Sequence, residues 1–123
     1  MKEAKHYNSY VEGAIVEDFY RSFNAAYEKG GIHEERLRTC SASVGIVNDG
    51  SYIFIYLRSY NTIVAVIDNC TGEAVDMLRT VYGYTATSAQ HIRKFLEDFP
   101  YWTRLYRTHI DNKGEHYYTI TFK

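Results

Sequence analysis

The amino-acid sequence predicts an α+β fold, with an antiparallel sheet of about five to six strands and two main helices packed on one face of the sheet. Three observations support this prediction. Two stretches, at about 9–29 and 88–99, repeat apolar residues with helical spacing. Six other stretches are rich in β-branched and aromatic residues. Tight-turn sequences separate most of these stretches, as in an antiparallel meander.

The first predicted helix begins with a capping box and ends at two glycines. Ser9 and Glu12 have the spacing at which a side chain and a backbone amide cap each other reciprocally. Gly30-Gly31 ends the helix, because glycine adopts the left-handed conformation without strain. The apolar face covers about half of the helix and consists of Val11, Ile15, Val16, Phe19, Tyr20, Phe23, Ala26 and Tyr27. Residues 1–8 are polar and predicted to be frayed, whereas 32–39 fit either a helical turn or an irregular link.

The strands follow one another with short turns. They are predicted at 40–47, 51–58, 62–67, 73–80, 102–110 and 115–122. Asn48-Asp49-Gly50 is a strong hairpin turn, because Asp-Gly tolerates the positive φ angles of such turns. The run Thr62–Ile67 is apolar throughout, which suits a central strand with both faces covered.

The second helix has clear signals at both ends. Thr87 and Gln90 form a second capping box, with Thr87 as the predicted cap. Pro100 ends the helix by excluding Phe99 from helical geometry. Between them, an apolar stripe is formed by Ile92, Phe95, Leu96 and Phe99.

Length and composition restrict the class of protein. A chain of 123 residues fits a single domain spanning 1–123. Its 14 basic and 15 acidic residues argue against a strongly basic nucleic-acid clamp and against a strongly acidic decoy. Cys40 and Cys70 are predicted to be reduced, buried or half-buried thiols, although one disulfide stays open as an alternative. Without an apolar signal segment or an apolar run of about 18–20 residues, we expect a cytoplasmic protein that does not enter a membrane.

Motifs for catalysis, cofactors or metals do not stand out. Neither glycine-rich phosphate loop occurs, and the adjacent carboxylates point in different directions. The prediction is therefore that the protein is not an enzyme, with no cofactor and no metal site. His91 is assigned a structural or surface role. Whether His91, His109 and His116 converge is left open.

Tyrosine is unusually frequent, at 13 of 123 residues, and part of this excess suits a contact surface. On a strand, Trp102, Arg104 and Tyr106 would share one face and could stack on bases. Alternatively, Trp102 packs on the second helix. The candidate partner-contact residues are Tyr60, Arg93, Lys94, Trp102, Arg104, Tyr106 and Arg107.

Residues 59–96 resemble a motif of small uncharacterised proteins from bacteriophages and mobile elements of Gram-positive and gut bacteria. The segments that carry the resemblance are Ser59-Tyr60-Asn61-Thr62, Val64-Ala65-Val66-Ile67, Thr71-Gly72-Glu73 and Tyr84 to Leu96. Their typical pattern is S-Y-x-T-x-V-A … T-x-x-H-I-x-x-F-L. The resemblance implies a phage or mobile-element origin and assigns no activity. Small proteins of such elements are often anti-defence factors, of which anti-CRISPR proteins are an example.

The function expected from these observations is non-enzymatic binding of a partner protein. The partner would be a host protein, such as a CRISPR effector or another defence nuclease, which the binding inhibits. The alternative is a small nucleic-acid-binding module that uses the basic and aromatic strand together with the second helix. A two-fold homodimer through an edge strand is left open.

Overall fold

A computed structural model describes the backbone of residues 2–7, 9–29, 31–38, 41–78, 86–110, 112–114 and 116–122, and the side chains from residue 18 onwards except at 30–31, 39–40, 79–85, 110–111, 115–116 and 123. Ten elements follow one another along the chain. They are β1 (Lys2–Tyr7), α1 (Ser9–Lys29), β2 (Gly31–Arg36), β3 (Ala42–Asn48), β4 (Ile53–Ser59), β5 (Thr62–Asp68), β6 (Glu73–Asp76), α2 (Ala86–Asp98), β7 (Arg104–Ile110) and β8 (His116–Phe122).

The strands form one sheet in the order β1-β8-β7-β6-β5-β4-β3-β2. Neighbouring strands are antiparallel except for β6 and β7, which run parallel because α2 connects them as a crossover. The α+β class is confirmed, and the six predicted strands correspond to β3–β8. The prediction of five to six strands was too low, since the sheet has eight.

The two additional strands are the edges of the sheet. Residues 2–7, predicted to be frayed, form β1 against β8. Strand β2 pairs with β3 and overlaps the stretch 32–39, which was predicted as a helical turn or an irregular link. Positions 32–36 are all exposed, so this strand lacks the apolar alternation by which sequence patterns detect strands. Charges such as Glu34, Glu35 and Arg36 are typical of edges that resist pairing with another chain. A homodimer through an edge strand stays a prediction.

The helices lie on opposite faces of the sheet, so the prediction that both pack on one face was wrong. On one face, Phe19, Phe23 and Ala26 of α1 pack against side chains that include Phe54, Tyr56, Val66, Val75 and Tyr106. On the other, Ile92, Phe95 and Leu96 of α2 pack against side chains that include Ile55, Leu57, Ala65, Ile67 and Leu105. Successive residues of a strand point to opposite faces. The unbroken apolar runs of β4 and β5 therefore require a cover on each side.

Helix α1 connects one edge of the sheet to the other. It follows β1 at one edge and precedes β2 at the opposite edge. Its 21 residues span about 31 Å. Seven spacings between neighbouring strands amount to about 33 Å. The length of α1 thus matches the width of the sheet that it crosses.

Helix ends agree with the prediction to within two residues. Helix α1 ends at Lys29, before the two glycines, and α2 ends at Asp98, before Pro100. Because α2 begins at Ala86, Thr87 lies in its first turn and is not the cap. Cys70 is a free thiol that is exposed in the turn after β5 rather than buried. The capping side chains of Ser9 and Glu12, the loop 81–85 and Cys40 lie outside the described residues.

Candidate binding site

A cleft of about 620 Å³ opens between one side of α2 and the adjacent strands β6 and β7. Its volume lies in the range of pockets that bind small molecules. One wall is apolar, with Leu78, Ala89, Ile92, Leu96, Pro100 and Trp102, and the other is polar, with Asp76, Arg93, Glu97, Arg107, Thr108 and His109. The apolar wall belongs to the core on the α2 face, so most of its side chains are fixed by packing.

Asp76 lies at the end of β6 and is 9% exposed. Its Oδ1 accepts a hydrogen bond from the backbone N–H of Leu78 at 3.0 Å, and its Oδ2 accepts one from Nε of Arg107 at 3.3 Å. Burial raises the pKa of Asp76 above its usual range, although the Leu78 amide and the Arg107 guanidinium partly offset this effect. A buried carboxyl with a shifted pKa in a cleft is a marker of a functional site.

Arg107 presents part of its guanidinium to the cleft. Only Nε contacts Asp76, and among the described residues the two terminal nitrogens have no hydrogen-bond or ion-pair partner. Arg93, on the exposed side of α2, likewise has no ion pair within the described part of the chain. The cleft therefore offers guanidinium N–H donors to a ligand.

His109 is positioned by β8. Its Nε2 hydrogen-bonds Oγ1 of Thr119 at 2.9 Å, and its ring stacks on Tyr117 at 4.8 Å with an interplanar angle of 13°. Because two neighbours hold the ring, its orientation is fixed before any ligand enters.

The acidic groups and the histidine of the cleft each already have a hydrogen-bond or ion-pair partner. Asp76 is paired with Arg107, His109 with Thr119, and Glu97 with Arg38 at 3.4 Å. The hydroxyl of Thr108 donates to the backbone carbonyl of Asp76 at 3.3 Å. These contacts hold the polar wall of the cleft in place.

A second polar cluster joins α2 to the end of β4. Nδ1 of His91 lies 2.8 Å from Oγ of Ser59, which in turn lies 3.0 Å from Oγ of Ser88. All three side chains are buried, and His91 is 2% exposed. Burial, followed by the charge of Lys94, lowers the pKa of His91. His91 and His109 therefore belong to different clusters, and the side chain of His116 is outside the described residues.

Tyr60 lies next to this cluster, at the tip of the β4–β5 hairpin. Ser59 pairs with Thr62, so the loop has two residues, and its first residue, Tyr60, has a φ of 57°. Such loops normally carry glycine or asparagine at this position. The ring is 57% exposed, and its centroid lies 5.9 Å from that of the His91 ring.

The structure divides the predicted contact residues among three places. Arg93, Trp102 and Arg107 line the cleft. Tyr60 and Lys94 lie beside His91. Arg104 and Tyr106 lie on the α1 face, where Arg104 pairs with Glu73 at 3.5 Å and Tyr106 is buried.

The predicted face of Trp102, Arg104 and Tyr106 is not formed. Strand β7 begins only at Arg104, and Trp102 packs with α2 in the core of the opposite face, as the alternative prediction had it. A tyrosine-rich strand surface is absent from the described residues as well. There the exposed tyrosines are Tyr52, Tyr60 and Tyr101, and all three lie outside the strands.

Sequence patterns missed Asp76 and Ser59 as site residues, and they raised His109 only as one of three histidines that might converge. Asp76 occurs in a strand, where one polar residue carries no signal. Ser59 and His91 are 32 positions apart and meet only because the hairpin returns beneath α2. The one available signal was that both belong to the motif that carries the resemblance.

No protein-family model, curated protein or solved structure matches this chain. Neither described helix is long and apolar enough to cross a bilayer. No group of three or more potential metal ligands occurs among the described residues. The functional proposal is therefore based on the geometry around Tyr60 and His91 and on the resemblance.

Proposed function

We propose that the protein is a non-enzymatic product of a phage or mobile element that acts in the cytoplasm of a bacterial host by binding a partner protein. In this proposal the partner is a defence nuclease, which the binding inhibits in the manner of an anti-CRISPR protein. The contact surface consists of the hairpin tip, Tyr60 and Asn61, and of the adjacent exposed side of α2. We call it the Tyr60 surface.

The conformation of Tyr60 is the observation that carries this proposal. A left-handed conformation costs a residue with a side chain about 1–2 kcal/mol relative to its normal one. Tyr60 has such a conformation and yet leaves most of its ring in solvent. Backbone strain at an exposed aromatic residue is typical of positions kept for function. Tyrosine is also among the residues that dominate the energy of protein interfaces.

The neighbouring groups suit an acidic partner surface. Lys94 lies one helical turn beyond His91, and its charge contributes to the lowered pKa of that imidazole. A cation beside an aromatic anchor increases the association rate with an acidic partner and fixes its orientation. Nucleases carry acidic residues where they bind metal ions, so such a surface fits this class of partner.

The resemblance gives independent support. Tyr60 belongs to the first half of the motif, and His91 belongs to the second half. Their rings are in contact, and the bond between Ser59 and His91 lies beneath them. The two halves of the motif thus contribute to one surface, as expected if that surface is what proteins with this motif share.

Affinity capture from a lysate of a CRISPR-bearing Gram-positive host tests the proposal. We expect the protein to retain one nuclease in stoichiometric amount and to inhibit its DNA cleavage. Tyr60→Asn should abolish both effects without loss of stability, because asparagine tolerates the left-handed conformation. Tyr101→Asn is the matched control, since Tyr101 is 58% exposed in another loop, and it should behave as wild type.

Two results would contradict the proposal. One is wild-type protein that retains no nuclease, or retains one without affecting cleavage. The other is capture by Tyr60→Asn that equals capture by wild type. A urea titration of each variant shows whether a lost interaction reflects the contact or the fold.

Nucleic-acid binding, the alternative, stays a prediction with less support. Its aromatic platform required Trp102 and Tyr106 on one exposed face, whereas both are buried on opposite faces. Arg104 and Arg107 are each paired with a carboxylate. A gel shift at low salt that disappears in Arg104→Ala and Arg107→Ala would restore this alternative.

A further inference from the structure

The cleft between α2 and β6–β7 has features that the proposed function does not use. Tyr60 is not among its lining residues. The cleft combines a preformed apolar wall with the guanidinium of Arg107, whose terminal nitrogens have no partner among the described residues. Each of these features restricts the chemistry of a ligand.

The apolar wall fits a hydrocarbon or ring without any rearrangement. Ile92, Leu96 and Trp102 pack in the α2-face core, and Trp102 is 2% exposed. A ligand gains about 0.8 kcal/mol of binding free energy for each CH₂ group that it moves from water onto such a wall. Because the wall is already ordered, a ligand that enters does not have to immobilise it.

Arg107 specifies the charged end of the ligand. A guanidinium presents its N–H donors in a planar fork that matches the oxygens of a carboxylate. Asp76 holds Arg107 by Nε and so orients the remaining donors. Arg93, at the rim on α2, adds a second positive charge.

Asp76 does not exclude an anion from this site. Its Oδ1 and Oδ2 are occupied by the amide of Leu78 and by Arg107. The raised pKa of Asp76, which follows from burial, makes its protonation easier when a second negative charge approaches. The other carboxylate of the lining, Glu97, is paired with Arg38.

We propose that this cleft binds a small organic carboxylate with an apolar body. The carboxylate lies on Arg107, and the body lies against Ile92, Leu96 and Trp102. The site is separate from the Tyr60 surface, so either proposal stands if the other fails.

The protein contains a single tryptophan, Trp102, and it lines the cleft. Its fluorescence therefore reports occupancy directly. Octanoate carries both required groups, 1-octanol lacks the charge, and acetate lacks the body. We expect a saturable change in fluorescence with octanoate and at least about tenfold weaker responses to 1-octanol and acetate, because each lacks one of the two contacts.

Variants assign the binding to the cleft. Arg107→Ala should weaken octanoate binding about tenfold, the usual effect of losing a charge-assisted pair. Arg104→Ala, three residues away on the other face of the sheet, is the matched control and should bind as wild type. Tyr60→Asn should also bind octanoate as wild type, which keeps this test distinct from that of the Tyr60 surface.

Three results would overturn this proposal. The first is the absence of a saturable response to octanoate in the wild-type protein. The second is equal affinity of octanoate for wild type and Arg107→Ala. The third is tighter binding of octyl phosphate than of octanoate, which would assign the site to phosphates. If Arg107→Ala does not fold, the comparison of octanoate with 1-octanol on the wild-type protein decides the question.

Discussion

Gly45 shows how one small residue shapes the α1 face of the sheet. It lies in β3 between Glu34 of β2 and Tyr56 of β4, in one row across three strands. The hydroxyl of Tyr56 donates to Oε2 of Glu34, so the ring crosses over Gly45. A Cβ at position 45 would lie well inside van der Waals contact of that ring. Glycine is therefore required here for space and not for backbone conformation.

Gly45→Ala is expected to destabilise the protein by about 1–3 kcal/mol, the usual cost of overpacking. The ring of Tyr56 must move away, which also costs it the bond to Glu34 and the packing on Phe23 and Tyr27. Urea unfolding measures the loss. In a Tyr56→Leu background the same substitution should cost much less, because the clash is gone. Equal costs in both backgrounds would contradict this account.

Single residues of this kind are beyond prediction from one sequence. Gly45 interrupts a strand pattern without any sign of what approaches it. The sequence predicted strands at 51–58 and 62–67, so the break around Tyr60 between β4 and β5 was predicted correctly. It did not predict which residue would take the positive φ. That angle follows from the two-residue length of the loop.

At the scale of elements, the cluster of His91, Ser59 and Ser88 links helix α2 to the sheet through buried hydrogen bonds. The imidazole bonds to Ser59 of β4, and its burial lowers its pKa below the usual value of about 6.5. At a pH between the folded and the unfolded pKa of His91, the imidazole is protonated in the unfolded chain and neutral in the folded chain. The free energy of unfolding contributed by His91 is therefore complete above about pH 6.5 and is lost as the pH falls.

We expect urea unfolding at about pH 7.5 and about pH 5.5 to show a larger loss of stability in wild type than in His91→Gln, because the glutamine does not titrate. His33→Gln is the matched control, since His33 is exposed on β2 and its side chain hydrogen-bonds the exposed Glu35. It should retain the pH dependence that His91→Gln loses. The same pH dependence in wild type and His91→Gln would show that the cluster is insensitive to protonation.

Elements with a strong apolar period were predictable, and those without one were not. The helices were placed to within two residues, because caps, glycines and a proline mark their ends. The edge strands β1 and β2 were missed, because an edge is held mainly by backbone pairing and tolerates polar side chains. The faces of the helices were assigned wrongly, although the apolar run of β5 already indicated a sheet covered on both sides.

At the scale of the molecule, the cleft combines segments that are far apart in the chain. Residues 76–78, 89–97 and 100–109 meet there because α2 crosses from β6 to the parallel strand β7. The sequence offered Arg93, Trp102 and Arg107 as contact residues for other reasons, and the crossover brings the three together. A meander of antiparallel strands, as predicted, would not have produced this cleft, since only a parallel pair requires such a connection.

A sheet shared by two helical layers should unfold as one unit. Phe23 packs in the α1 layer, whereas the indole of Trp102 lies in the α2 layer on the opposite face. Phe23→Leu should cost about 1–3 kcal/mol, within the normal range for a core substitution. Losing α1 would expose the strands that α2 also needs, so Trp102 fluorescence and far-UV circular dichroism should report the same lowered urea midpoint. Tyr101→Asn, at a position that is 58% exposed, should leave both midpoints nearly unchanged. A fluorescence midpoint that stays at the wild-type value while the dichroism midpoint falls would mean that the α1 layer unfolds alone.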